Sequence, residues 1–215
     1  MTHSLHREGT LDSLEQDYAL FIYPARGFNY EGSGPKVRRL AELLYLQGPS
    51  NLIVTSLRRN LYSGVTQEEV LNSIQDGARI YCAFSTREKL KEALVKIKQL
   101  DEGISVVVSG LIDRVREVAA EVGLKPHTIN LSLGIHGRTD RLPPPDIRQF
   151  TTMCGHGMVS PKLVRDVIRR VKTGKLDLWE ASLILAAPCG CGIFNPCRSV
   201  EMLKDLVPVY TVNRL

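Results

Sequence analysis

Four of the five cysteines of this 215-residue chain fall in two short, glycine-rich segments. One segment is CGHGM, which begins at Cys154, and the other is CGCGIFNPC, which runs from Cys189 through Cys191 to Cys197. Thiolates are preferred ligands of iron–sulfur clusters, zinc and other soft metals. The spacing therefore predicts a metal site formed by Cys154, Cys189, Cys191 and Cys197.

The neighbours of these cysteines favour one metal centre over the others. Glycine beside a cysteine lets the backbone approach an inorganic centre and offer N–H donors to its sulfur atoms. Structural zinc is usually held by two C-x2-C pairs, and the chain has none. A [4Fe–4S] cluster is therefore the predicted cofactor. Zinc remains an alternative, as does another transition metal such as planar nickel or copper at Cys189-Gly190-Cys191.

The number of bound cysteines decides what such a cluster could do. With four thiolates it would carry electrons or support the fold. With three, one iron would stay open as a Lewis acid, and His156 would lie beside it as the candidate catalytic residue.

Three functions stay open on this evidence. The preferred one is a cytoplasmic iron–sulfur protein for redox or Lewis-acid chemistry on a small anionic substrate. Such a protein could be a lyase, a desulfidase or an oxidoreductase. An α/β domain followed by a cysteine-rich unit resembles proteins of anaerobic metabolism. The alternatives are a zinc-stabilised binding module without catalysis and a metal-free thiol enzyme that uses Cys154 and His156.

A second candidate site lies in the segment ARGFNYEGSGPKVRRL, between a predicted strand and a predicted helix. Its free N–H groups and basic side chains would suit a phosphate or carboxylate. The segment matches neither the P-loop nor the dinucleotide-binding glycine pattern. The predicted anion- or cofactor-binding residues are Gly32, Gly34, Lys36 and Arg38.

Cys82 and His136 also have side chains that could take part in catalysis or binding. Cys82 lies near the end of a predicted central strand, where a buried thiol is usually inert. His136 lies on a glycine-flanked loop that could bind an acidic substrate. Their roles stay open.

Charge and composition set the expected partners and location. The formal net charge is +5, but the basic residues are spread over helix faces that also carry acids, so nucleic acid is not an expected partner. We expect a small anionic molecule or a redox partner protein, and a homo-oligomer is possible. No apolar run is long enough for a signal peptide or a bilayer span, which predicts a cytoplasmic protein with reduced thiols and no membrane association.

The elements that position these residues alternate between strand and helix. The predicted strands are YALFIY, NLIVTSL, ARIYCAF, ISVVVSG and HTINLSLGI. Strands separated by helices predict an α/β fold, with a parallel or mixed sheet covered by helices on both faces. A small, mostly helical, cysteine-containing C-terminal unit follows.

Composition also predicts the domain boundaries. Three consecutive prolines indicate a stiff connector. The predicted parts are an N-terminal extension (1–17), an α/β domain (18–137), a proline-rich connector (138–150) and a helical metal-binding unit (151–215).

Overall fold

The computed structural model describes residues 2–211. The chain begins with a 3-10 helix, Thr2–His6, and a short helix α1, Leu11–Leu14. The four strands are β1 (Tyr18–Tyr23), β2 (Asn51–Val54), β3 (Ile80–Phe84) and β4 (Ser105–Ser109). The helices that alternate with them are α2 (Ser33–Leu46), α3 (Gln67–Asn72), α4 (Arg87–Leu100) and α5 (Ile112–Glu121). After a 3-10 turn at Thr139–Arg141 come α6 (Pro145–Thr151), α7 (Pro161–Lys172), α8 (Leu178–Ala186) and α9 (Pro196–Val209).

The four strands form one sheet in the order β2-β3-β1-β4, and every neighbouring pair is antiparallel. The predicted parallel or mixed sheet is therefore wrong. Helices α2 and α4 do connect strands that run in the same direction, but another strand lies between the two strands in each case. This is the arrangement of the split βαβ, or ferredoxin-like, motif. Alternation of strand and helix fixes neither strand direction nor strand neighbours: β2 and β3, which α3 connects, lie side by side and run in opposite directions.

The edge of the sheet at β4 also differs from the prediction. A parallel sheet covered by helices on both faces would bury the run ISVVVSG on both sides, yet Ser105 is exposed and the three valines of β4 are only partly buried. Residues 127–135, the predicted fifth strand, form no regular secondary structure. Within residues 2–211, β1 is consequently the only strand that pairs with β4.

Helices cover both faces of the sheet. Alternate residues of β1 point in opposite directions: Leu20 and Ile22 pack with α2, α4 and α5, whereas Ala19 and Phe21 pack with the C-terminal helices. We call these the α2/α4 face and the C-terminal face. Two hydrophobic cores share the one sheet, so the C-terminal helices are packed directly against it.

Capping residues fix the ends of the C-terminal helices and thereby the loops that hold the cysteines. The Ser160 side chain accepts a hydrogen bond from the Leu163 N–H at the start of α7. Asp177 and Glu180 form a capping box at the start of α8, and the Asn195 side chain caps α9. The loop of Cys154 therefore lies between α6 and α7, and the loop of Cys189 lies between α8 and α9.

Among the helices of the described residues, none has the length and apolar character needed to cross a lipid bilayer.

Candidate functional site

Three of the cysteines meet over the C-terminal face of the sheet. The Cys189 thiol lies within hydrogen-bonding reach of both Cys154 and Cys191. All three side chains are buried, at 1% exposure for Cys154 and Cys189 and 7% for Cys191. The two cysteine loops, far apart in sequence, thus form one thiol cluster, which is the name used below for Cys154, Cys189 and Cys191.

Backbone N–H groups point at the sulfur atoms of this cluster. The N–H groups of His156 and Met158 donate to the Cys154 sulfur, and the Phe194 N–H donates to that of Cys189. Such donors stabilise sulfur that carries negative charge, as a metal-bound thiolate does.

His156 closes the cluster on its solvent side. Its Nδ1 atom lies 2.8 Å from the Cys191 sulfur, and its side chain is exposed. The sequence placed His156 beside Cys154, and its backbone does contact that thiol, but its ring contacts Cys191. A cysteine–histidine contact of this kind activates a thiol as a nucleophile or supplies a further metal ligand.

The three thiols differ in acidity. Contact with Cys189 and then burial raise the pKa of Cys154. Contact with Cys154 lowers the pKa of Cys189, but contact with Cys191 and burial outweigh it and raise the pKa overall. Contact with Cys189 lowers the pKa of Cys191, and the positive charge of Arg58 adds a smaller effect in the same direction. Cys191, the thiol beside His156, therefore loses its proton first.

A buried guanidinium group holds the two cysteine loops together. Arg7 donates to the backbone carbonyls of Met153 and Ile193, which lie in different loops, and it pairs with Asp17. Met153 directly precedes Cys154. Arg7 thus connects the N-terminal segment to the thiol cluster, a role that no motif in the sequence indicates.

The network around Asp17 continues into α9. Arg198 donates to the second Asp17 oxygen at 2.6 Å and to the Glu8 carbonyl at 2.6 Å, and both Arg198 and Asp17 are 1% exposed. Asn195 reaches the Gln16 carbonyl at 2.8 Å. Two guanidinium groups share one carboxylate, so this buried network carries an excess positive charge beneath the cysteine loops.

The fourth predicted ligand, Cys197, has a different environment. It is partly exposed in the first turn of α9, and its charge raises the pKa of Tyr62 as a smaller effect after burial. Cys197 is not among the groups that shift the pKa values of the three clustered thiols. The structure brings together three of the four predicted thiol ligands.

The glycine-rich segment before α2 already has an anionic partner. The N–H groups of Gly32 and Gly34 donate to the Asp76 carboxylate at 2.8 and 2.6 Å. Arg38 bonds to Glu42 and to the Leu71 carbonyl, each at 3.1 Å. A phosphate or carboxylate would have to displace Asp76 from these donors. Lys36 is partly buried in the same first turn of α2, and its positive charge is the smallest of the effects that lower the pKa of Glu102.

The two residues with open roles lie away from the thiol cluster. Cys82 is fully buried on the α2/α4 face, where burial raises its pKa, so it is an inert core thiol. His136 is exposed, and its ring contacts the Leu133 carbonyl at 2.8 Å within its own loop.

Within residues 2–211, no group of three or more histidine, cysteine, aspartate and glutamate side chains is placed to hold a single metal ion. The thiols of the cluster contact one another, with Cys189 in the middle.

Comparison with protein-family models, with curated proteins and with solved structures finds no match to this chain.

Proposed function

We propose that the thiol cluster binds an iron–sulfur cluster for redox or Lewis-acid chemistry on a small anionic molecule, in the cytoplasm. The observation that carries this proposal is the contact of Cys154, Cys189 and Cys191 in one buried site whose sulfur atoms receive backbone N–H donors.

The absence of a single-ion site in the described residues is compatible with this proposal. In a [4Fe–4S] cluster each thiolate binds a different iron atom, so the sulfur atoms need not converge on one point. The excess positive charge of the Arg7–Asp17–Arg198 network favours a bound group of negative charge. A cluster held by three cysteines supplies one open iron as a Lewis acid.

The solvent side of the site suits an anionic molecule. His156 and Arg58 are both exposed, and Arg58 lies near enough to Cys191 to lower its pKa. Arg58 also adopts a left-handed backbone conformation, with φ of 53°, which non-glycine residues seldom do and which occurs often at functional sites.

Anaerobic reconstitution tests the proposal. The protein is incubated with ferrous iron and sulfide under reducing conditions, and iron, acid-labile sulfide and visible absorption are measured. We expect wild-type protein and the Cys82→Ser control to bind the cluster, and Cys154→Ser, Cys189→Ser and Cys191→Ser to lose most of it. Wild-type protein that binds no iron, or three variants that all keep it, would overturn the proposal. Cys197→Ser shows whether the fourth thiol is a ligand.

The contact between Cys191 and His156 supports a second candidate, a metal-free thiol enzyme with Cys191 as the nucleophile. The 2.8 Å distance and the lowered pKa of Cys191 are features of an activated thiol. If the protein binds no metal, fast alkylation of Cys191 that slows in His156→Gln would favour this function. Equal alkylation rates in both proteins would exclude an activating role for His156.

A further inference from the structure

A segment between α5 and α6 exposes apolar side chains in the pattern of a β-strand. In the sequence TINLSLGI, residues 128–135, apolar residues occupy every second position. Their exposed fractions are 50% for Ile129, 65% for Leu131, 86% for Leu133 and 40% for Ile135. All residues from 125 to 142 are exposed. Alternation of this kind is typical of a strand that buries one face, yet this segment pairs with no strand of the sheet within residues 2–211.

The same chain offers an unpaired edge of matching chemistry. In the part of the chain that the structure describes, strand β4, with the sequence SVVVS, pairs with β1 on one side only, and its three valines are partly exposed. Natural edge strands are usually protected by charged residues, proline or a bulge, and β4 has none of these. Within the described residues no strand pairs with its outer side, which makes this edge a template for another strand.

We propose that two copies of this chain associate by strand exchange, with residues 128–135 of each copy added to the β4 edge of the other. The proposal is independent of the chemistry of the thiol cluster. Each copy carries both the strand and the edge, so one two-fold symmetric contact pairs both strands. Neither TINLSLGI nor the β4 sequence SVVVS contains a charged residue, so their pairing places no like charges opposite each other.

The size of the exposed region fits a stable dimer. Residues 125–142, which are all exposed, and residues 105–108, which are exposed or partly buried, provide 22 residues in each copy, within the roughly 20–30 residues a side of a standard interface. Within one chain, the middle of the segment contacts the N-terminal 3-10 helix: the Ser132 hydroxyl lies 3.2 Å from Nδ1 of His6.

The oligomeric state tests this proposal. Light scattering after size-exclusion chromatography, across a dilution series, is expected to show a dimer for the wild type. Leu131→Glu combined with Leu133→Glu places two charges per copy in the interface, and we expect dimerisation to weaken by roughly tenfold or more. The control is Leu46→Glu on α2, where Leu46 is 82% exposed, and it should leave the dimer intact.

Hydrogen exchange identifies the contact. In the wild type, the amides of residues 128–135 and of β4 should be protected, and both should lose protection in the double variant. A wild type that is monomeric at every concentration overturns the proposal, whether or not the segment is protected by pairing within its own chain. A double variant that dimerises as tightly as the wild type, or a dimer weakened equally by Leu46→Glu, overturns it as well.

Discussion

Cys82 and Cys191 are both buried, yet the two faces of the sheet give them different properties. On the α2/α4 face, Cys82 is surrounded by apolar side chains, and burial alone raises its pKa. On the C-terminal face, Cys191 contacts Cys189 and His156, and its pKa is lowered. The comparison shows that burial by itself makes a thiol inert, whereas burial among polar partners in a loop makes it a candidate for chemistry.

The two faces also differ in how they are held together. The α2/α4 face is packed by apolar side chains such as Leu40 and Leu90, both nearly inaccessible to solvent. The C-terminal face has an apolar core of its own, together with the buried network of Arg7, Asp17 and Arg198 at the cysteine loops. A charged network is sensitive to the loss of one partner in a way that apolar packing is not.

The largest expected effect comes from breaking that network. Asp17→Asn should lower the free energy of unfolding by roughly 3–5 kcal/mol, because two buried guanidinium groups lose their counter-charge. Urea denaturation measures the change. The control is Glu42→Gln, which removes an exposed ion pair with Arg38 and should cost about 0.5 kcal/mol or less. Similar losses in the two variants would show that the network does not stabilise the C-terminal face.

The next prediction compares two glycines with left-handed backbones. Gly192 has φ of 62°, and a Cβ there would lie 2.4 Å from Ile53 Cγ2 of β2. Gly192→Ala should therefore cost about 1–2 kcal/mol from backbone conformation and roughly another 1–3 kcal/mol from overlap. Gly174, with φ of 69° and open space around it, should show the conformational cost alone. Equal losses in urea denaturation would mean that the Cys191 loop is not packed against the sheet.

A smaller effect is expected in thiol reactivity. In metal-free folded protein, iodoacetamide at neutral pH should modify Cys191 at least about tenfold faster than Cys82, because only the thiolate reacts. The lowered pKa of Cys191 keeps its thiolate present at a lower pH than in an ordinary cysteine, so the rate should begin to rise at lower pH. Peptide mass spectrometry follows both residues. In denaturant the two rates should become equal, and a ratio that persists there would point to local sequence instead of the fold.

The smallest effect concerns the glycine-rich segment on the opposite side of the molecule. Hydrogen bonds from the Gly34 and Gly32 N–H groups lower the pKa of Asp76. The carboxylate therefore stabilises the fold at pH values above the ordinary aspartate pKa, and this contribution disappears as the pH falls through the lowered one. Asp76→Asn should be slightly less stable than the wild type at neutral pH and equally stable in acid. A difference that is constant with pH, measured by urea denaturation, would contradict this origin.

Sequence patterns predicted local structure well where capping chemistry is local. Ser160 before Pro161, and Asp177 three residues before Glu180, begin α7 and α8 as these residue types predict. The strand YALFIY is β1, and the burial of its first five residues follows from their apolar composition. Strand neighbours could not be predicted in this way, because no local pattern in the sequence of β1 indicates which strands will pair with it.

The candidate site, too, was predicted from the sequence only in part. The cysteine spacing predicted thiols in two loops, and the structure places Cys154 in contact with Cys189, while the bound metal remains a prediction. Arg7 and Asp17 were missed, because an arginine in an N-terminal segment and an aspartate before a strand have no local pattern that indicates burial. Their only signal is the tertiary contact itself.

The amino-acid sequence predicted which loops carry the thiols and where elements such as β1, α7 and α8 lie, because caps, glycine turns and apolar periodicity act over a few residues. The same local patterns also predicted a strand at residues 127–135 that the structure does not form. The tertiary structure alone decided the antiparallel pairing, the C-terminal face as the place where the thiols meet, and the partnership of Arg7 with two distant loops. The physical reason is the sequence separation of the groups involved. These features depend on which apolar faces are buried together, and that is decided only when the whole chain packs.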